Sequence, residues 1–403
     1  MSVLSGKKIV LGISGGIAAY KTASLVRLFI KAGAEVQVIM TPSASDFVTP
    51  LTLTTLSKRP VFSTFYNDEE QNAVWNNHVE IGLWADLMII APATANTLSK
   101  MAHGTCDNIL LATYLSAKCP VYFAPAMDLD MYKHASSIES FNRLISFGNK
   151  MIPAENGELA SGLSGEGRMA EPENIVSFIE NDIQSSLPLN GKKVVITAGP
   201  TYEAIDPVRF IGNHSSGLMG YEIAQKAAQH GAQVMLISGP THLNIAHNLI
   251  HIQRVVSAEE MFNACLAAFD DADVVIAAAA VADYRPKNSA ENKIKKSESS
   301  FTIELVQTKD ILAALGARKK NQFLIGFALE TENEIENAKH KIQKKNLDLI
   351  VLNSLQDKGA GFGTKTNKVT FIDKNFVAEP MELKSKSDVA QDIINKVIAH
   401  YNV

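Results

Sequence analysis

The chain has 403 residues, enough for two domains at roughly 100–200 residues each. Its 46% hydrophobic and 20% charged residues give each half a core to bury, and a net charge of -4 leaves no basic excess of the kind nucleic-acid binding uses. Three scattered cysteines without a CxxC pair argue against a disulfide framework or a cysteine zinc site and suit a reducing cytoplasm.

Met1–Lys8 runs straight into an apolar segment, so no signal peptide is expected. Ile9–Ile13 reads as a parallel strand covered on both faces. Gly15 and Gly16 make the turn, and Ile17–Ala32 carries Leu25, Leu28 and Phe29 at helical spacing until Gly33 stops it. Further buried strands are predicted at Val121–Ala124, Val194–Ile196, Phe323–Phe327 and Leu349–Leu352, with a helix from about Gly220 to His230. The apolar run Val274–Ala282 falls well short of the about 20 residues a membrane helix needs, so it reads as a buried strand and its turn and no membrane is expected.

One plan occurs twice. Gly6–Gly12 resembles Gly191–Thr197, Gly33–Ile39 resembles Gly231–Ile237, and Asp86–Pro92 resembles Asp273–Ala279. The unequal spacing suits two domains rather than a solenoid. The short polar segment Gln184–Asn190, with Pro188, reads as the linker. The expected fold is α/β, with two Rossmann-like domains on parallel sheets, residues 1–188 and 189–403.

Ligands of open parallel sheets sit beyond the carboxyl ends of the strands. In the first half four such ends carry small or polar residues: Ser14-Gly15-Gly16, Thr41-Pro42-Ser43, Thr94-Ala95-Asn96-Thr97 and Pro125-Ala126-Met127-Asp128. The first of these lacks GxGxxG spacing, which disfavours a dinucleotide. Residues 6–180 resemble the flavin-containing Cys decarboxylases, which implies a flavodoxin-like domain. By that resemblance Ser14, Gly15, Gly16, Thr41, Thr94, Asn96, Thr97 and Ala126 would contact FMN, and His78, in Asn77-His-Val-Glu-Ile-Gly82, is the active-site histidine. The implied chemistry is a redox detour in which the carbon bearing the thiol is oxidised, CO2 leaves the thioaldehyde, and the ene-thiol is reduced again, with FMN carrying the electrons. A histidine near the thiol would assist its deprotonation.

Two positions depart from that family's pattern. Asp128 stands where the family has an asparagine that donates to the substrate carboxylate, and an ionised aspartate cannot donate. Ser161 stands where the decarboxylases that complete the reduction carry a proton-donating cysteine.

In the second half, the loop from Ala198 to Gly217 gathers Arg209, Asn213, His214, Ser215 and Ser216 ahead of a helix start, a concentration of donors suited to an anion. Residues 190–400 resemble phosphopantothenate–cysteine ligase, through that loop and through Ala277-Ala-Ala-Ala-Val-Ala-Asp283, Lys293-Ile-Lys-Lys296, Thr308-Lys-Asp-Ile311, Gly326-Phe327 and the pair Lys341/Lys345. The lysine pair, four apart on a helix backed by Ile335, Ala338 and Ile342, can reach one polyphosphate.

The resemblance implies CTP, activation of the 4′-phosphopantothenate carboxylate as an acyl-cytidylate, displacement of CMP by the cysteine amine, and Mg2+. It implies Ala277, Ala278, Ala279, Asp283, Lys293, Thr308, Lys309, Asp310, Ile311, Phe327, Lys341 and Lys345 for CTP, and Arg209, Asn213 and His214 for the substrate. Asn213 would hold the acyl-cytidylate, and Lys293 would steady phosphate charge in the transition state.

Together the halves resemble the fused enzymes of coenzyme A biosynthesis, and trimers of one half with dimers of the other imply a dodecamer. His247-x-x-x-His251 lacks a third metal ligand nearby. Two alternatives compete. A nicotinamide-dependent reductase leaves Asn213-His-Ser-Ser216 unexplained. A flavin-bound first half that is a scaffold, or that stops at the ene-thiol, beside an active ligase fits the two departures.

Overall fold

Apolar strands alternate with amphipathic helices along the whole chain, and they build two open sheets. The computed structural model describes residues 2–66, 75–295, 302–330, 332–354 and 364–402, and Lys296 of the predicted lysine segment lies outside them. The chain divides into two units, Met1–Gln184 and Ser185–Val403.

The first unit holds β1 (Lys8–Ile13), β2 (Glu35–Met40), β3 (Leu87–Ala93), β4 (Val121–Pro125) and β5 (Lys150–Met151) in the parallel order β2-β1-β3-β4-β5. This is the flavodoxin-like order, whose direction of winding reverses between β1 and β3. Register runs Lys8↔Glu35 to Ile13↔Met40 on one side of β1 and Ile9↔Leu87 to Gly12↔Ile90 on the other. Both faces are covered, one by Leu25, Phe29, Ile175 and Ile179, the other by Leu98, Met101, Phe141 and Leu144. That is why the strands read as unbroken apolar runs. The predicted Ile17–Ala32 helix opens as a 3-10 turn, Ile17–Lys21, becomes α-helical over Thr22–Lys31, and ends before Gly33 at φ 87°. A two-stranded hairpin, β6 (Glu155–Glu158) with β7 (Ser164–Arg168), follows the sheet.

A helix, Pro172–Ser185, takes in the first two residues of the predicted linker, and Leu189 at its far end is fully buried. The second unit then holds β8 (Lys193–Ala198), β9 (Gln233–Ser238), β10 (Ile250–Arg254), β11 (Val274–Ala277), β12 (Phe323–Glu330), β13 (Leu349–Ser354), β14 (Val369–Asp373) and β15 (Ala378–Pro380). Their order is β10-β9-β8-β11-β12-β13-β14-β15. The first six are parallel and follow the Rossmann order, so the reversal falls between β8 and β11; β14 and β15 add antiparallel at one edge. The helix predicted from about Gly220 spans Leu218–Gln229 and lays Ile223, Ala224 and Ala227 on the sheet. No helix among the described residues is long and apolar enough to cross a membrane.

Candidate functional site

In the first unit the loops after β1, β2, β3 and β4 enclose a cavity of about 1010 Å³. It lies at the β1/β3 reversal, where ligands of this sheet order bind. Gly15, Gly16, Thr41, Thr94, Asn96, Thr97 and Ala126 all line it. A Cβ at Gly15 would stand 2.8 Å from the Ser43 Cβ, so the turn after β1 can follow this path only without a side chain. Thr94 begins the Ala95–His103 helix without a side-chain cap bond, and its hydroxyl donates to Thr97 Oγ1 at 3.3 Å.

Ser14 has a different position from its neighbours. It is buried, its hydroxyl donates to the Pro92 carbonyl at 2.7 Å and accepts the Thr94 N–H at 3.0 Å, and it is absent from the cavity wall. It ties the end of β1 to the end of β3, so it shapes the cavity through the backbone.

Asp128 lines the cavity and starts the short Leu129–Lys133 helix without capping it. The β6–β7 hairpin closes on this segment, with Met127 N–H donating to Gly167 O at 3.0 Å. Gly167, at φ 136°, leaves no room for a Cβ against the Met127 carbonyl. Leu159 and Ala160 reach the cavity, whereas Ser161 is exposed at the hairpin turn, 3.5 Å from the Leu163 N–H.

His78 opens the His78–Trp84 helix, which Asn77 caps through the Val79 and Glu80 N–H groups. It does not line its own chain's cavity. Its ring meets Phe65 and Trp75 edge-on, at 6.0 and 6.1 Å between centroids, and its Nδ1 is buried with no hydrogen-bond partner.

Sequence reasoning missed Lys21 and Glu171. Lys21 lines the cavity, is buried, and donates to Met169 O at 3.1 Å and Glu171 Oε1 at 2.9 Å. Arg168 bonds the same carboxylate at 2.5 Å. The Lys21 hydrogen bond, with both cations, outweighs burial and holds the Glu171 carboxyl below its usual range. The network fixes the base of the hairpin to the turn after β1. Glu171 lies far from that turn in sequence, and nothing near it signals the pairing.

In the second unit the site is narrower, a slot of about 160 Å³. Its walls come from Ser215–Met219 at the start of the Leu218–Gln229 helix, from Ala278–Ala280 after β11 and from Phe327–Leu329 of β12. Of the residues predicted for the nucleotide, Ala278, Ala279 and Phe327 line the slot; Ala277, Asp283, Lys293, Thr308–Ile311, Lys341 and Lys345 stand outside it.

Asn213 Nδ2 donates to the Ala280 carbonyl at 2.9 Å, at the slot's rim. Arg209 donates to the Ile294 carbonyl at 2.9 Å, which brings it beside exposed Lys293. Buried Asp206 is the hub of this region. It accepts from the N–H groups of Val208 and Arg209, each at 2.8 Å, and of Ile294 at 3.2 Å. Burial raises its pKa, but these three bonds and the Arg209 charge more than cancel that and leave it lowered.

His214 is exposed. Thr308 donates to the Ala282 carbonyl at 2.7 Å, and Lys309 pairs with Glu259 at 2.7 Å. Lys341 pairs with Glu330 at 2.5 Å and Lys345 with Asp310 at 2.9 Å, so each predicted phosphate ligand rests on its own carboxylate. Behind this helix Ala338 and Ile342 are buried as expected, while Ile335 is exposed. No group of three or more His, Cys, Asp or Glu suited to a metal occurs among the described residues.

Residues 2–184 match the Flavoprotein family model, and residues 189–401 match the DNA/pantothenate metabolism flavoprotein C-terminal domain. The chain is 45% identical, over 98% of each protein, to the coenzyme A biosynthesis bifunctional protein CoaBC of Bacillus subtilis. It belongs to the bifunctional coenzyme A biosynthesis family. It is therefore a flavoprotein and an enzyme with decarboxylase and ligase activities.

The CoaBC protein of Haemophilus influenzae is 42% identical, over 99% of this chain and 98% of that one. A cysteine/cysteine sulfinic acid decarboxylase from an unknown prokaryotic organism is 52% identical, over 87% of this chain and 99% of that protein. The crystal structure of a CoaBC C-terminal domain aligns with a TM-score of 0.46 at 42% identity, over 54% of this chain and 99% of that one.

Proposed function

We propose that residues 189–403 join 4′-phosphopantothenate to cysteine at the expense of CTP, with Mg2+ as the metal cofactor, and that residues 1–188 then decarboxylate the product to 4′-phosphopantetheine with FMN. The observation that carries the flavin part is the single cavity into which seven separately predicted residues from four loops converge, Gly15, Gly16, Thr41, Thr94, Asn96, Thr97 and Ala126. The glycine turn that admits no Cβ and the uncapped start of the Ala95–His103 helix suit a flat cofactor with an anionic tail. Bound FMN supplies a two-electron acceptor that later gives the electrons back.

The chain's own residues orient and shield. Lys21 and Glu171 hold the hairpin over the cavity, and Asp128 faces the substrate end. His78, which lies away from its own cavity with an unpartnered ring nitrogen, would serve a neighbouring copy in a trimer. Trimers combined with ligase dimers give the dodecamer.

In the ligase half, Asp206 sets Arg209 and the Lys293 segment together so that their charges meet the reacting phosphate and carboxylate. Asn213 at the slot's rim holds the acyl-cytidylate. Lys341 and Lys345 would each exchange a carboxylate for a phosphate when nucleotide arrives.

A second reading takes its support from the 52%-identical relative, a cysteine/cysteine sulfinic acid decarboxylase by name. In it the flavin unit acts on free cysteine or its sulfinate. Giving the purified protein 4′-phosphopantothenoylcysteine, cysteine and cysteine sulfinate separately, and measuring CO2, decides between them. The main reading expects release from the first at least about tenfold faster, in kcat/KM, than from either amino acid. Equal or faster release from an amino acid overturns it.

A further inference from the structure

Completing the decarboxylation makes a chemical demand that Ser161 does not meet. When CO2 leaves, the carbon that carried it keeps the electron pair of the broken bond and shares it with sulfur as an ene-thiolate. That carbon must take a proton before the carbon bearing sulfur can take back hydride, so the step needs an acid inside the cavity. Ser161 is exposed at the hairpin turn and does not line the cavity.

Among the described residues three carboxylates line the cavity, Asp107, Asp128 and Glu158. Asp107 pairs with Lys100, whose hydrogen bond holds its carboxyl below the usual range despite some desolvation. Glu171, bonded to Lys21 and Arg168, is held down in the same way. Carboxylates kept ionised by cations are poor proton donors. Asp128 and Glu158 differ, because neither side chain takes a hydrogen bond or a cation among the described residues. Glu158 is exposed on the hairpin, whereas Asp128 is half-buried. The hairpin sits directly on the Asp128 segment. Met127 N–H donates to Gly167 O at 3.0 Å, and a Cβ at Gly165 would stand 2.6 Å from Leu129 Cδ1. An ene-thiolate formed beside a carboxylate without a cation drives that carboxylate to bind a proton, since two like charges at close range disfavour each other.

We propose that Asp128 is the catalytic acid of the reductive step. Its carboxyl O–H breaks, and the proton forms a C–H bond with the carbon that CO2 has left. The sulfur's negative charge is consumed in making C=S, so the ene-thiolate becomes a thioaldehyde. The hydride removed in the first oxidation returns to the thioaldehyde carbon and gives the thiolate of the product. Asp128, left ionised, takes its next proton from solvent. The proposal rests on 4′-phosphopantothenoylcysteine as the substrate of the flavin unit.

The test is a single anaerobic turnover of the full-length, FMN-loaded protein with 4′-phosphopantothenoylcysteine, followed by flavin absorption, CO2 and product mass. Wild type is expected to give CO2 and 4′-phosphopantetheine in equal amounts, with the oxidised flavin band returning. Asp128→Asn keeps the shape without a transferable proton. It should release CO2 within about tenfold of the wild-type rate, while flavin reoxidation and 4′-phosphopantetheine formation fall at least about a hundredfold and the ene-thiol accumulates. Should Asp128→Asn bind no flavin, Asp128→Ala takes its place, and added acetate should speed its reoxidation at least about tenfold. Wild-type reoxidation in Asp128→Asn, equal losses of CO2 release and reoxidation in a flavin-bound variant, or, in the second case, no rescue by acetate would overturn the assignment. Wild type that itself stops at the ene-thiol would overturn it too and leave decarboxylation standing. No CO2 from wild type would remove the substrate reading and the proposal with it.

Discussion

The two units place their cavities at the same point of the same kind of sheet, yet the cavities differ about sixfold in volume, about 1010 against 160 Å³. The sheets do not cause the difference. In the first unit loops from four strand ends and a hairpin from beyond the sheet together line a wide cavity. In the second, the loops after β8 and β11 are stitched together. Ala279, Ala280 and Ala282 donate their N–H groups to Thr197 Oγ1, Gly199 O and Thr201 Oγ1, which leaves a narrow slot. A reversal of strand order beside the first strand of each sheet therefore fixes where a ligand goes, and the strand-end loops fix what size it has.

If the two sites are independent, changes in one should spare the other. The largest effect is expected for Lys293→Ala. Ligation should fall at least about a hundredfold, because phosphate charge in the transition state loses its cation. Decarboxylation of supplied 4′-phosphopantothenoylcysteine should stay within about twofold, measured as CO2 release. A parallel loss of both activities would break the comparison.

Gly15→Val is the reciprocal case. The new side chain meets Ser43 and should lower bound flavin, read from the visible absorption per chain, at least about tenfold while ligation continues. Retention of full flavin would mean that the turn after β1 is not the cradle.

Asp206→Asn sharpens the account of the ligase loop. The change weakens the bonds that hold Arg209 and Ile294, and kcat/KM for ligation should fall about five- to fiftyfold with flavin content unchanged. An unchanged rate would show that the loop is held by other groups.

The smallest effect is expected for Glu171→Gln, a fall of roughly 1–2 °C in the melting temperature of the flavin unit, because the pair is partly exposed and screened. The folded pKa of Glu171 lies below its unfolded value, so its stabilisation is fully present above the ordinary glutamate range and is lost as the pH falls through the lower, folded value. The wild-type advantage over Glu171→Gln should follow that course. An advantage that does not decline at all as the pH is lowered below the ordinary glutamate range would show that packing, not charge, anchors the hairpin.

The sequence was most informative where function is carried by short contiguous text. The strands at Ile9–Ile13 and Val194–Ile196 were legible because both of their faces are buried, and the strand ends Gly15-Gly16, Thr41 and Thr94–Thr97 do converge on one cavity. What stayed hidden depends on side chains meeting across long separations. Ser14 looks like its glycine neighbours but turns inward to the Pro92 carbonyl. Lys341 and Lys345 do share one stretch of chain, yet acids from other elements, Glu330 and Asp310, take them up. Asn353, Asn367 and Lys386, which line the second unit's slot, lie on three separate elements, and no spacing rule links them.

The central claim is that one chain carries both steps in order. It is tested most directly by mass spectrometry of the products formed when the purified full-length protein receives 4′-phosphopantothenate, cysteine, CTP and Mg2+. The account expects 4′-phosphopantetheine together with CMP, pyrophosphate and CO2. Accumulation of 4′-phosphopantothenoylcysteine or of its ene-thiol, with no 4′-phosphopantetheine, would contradict it.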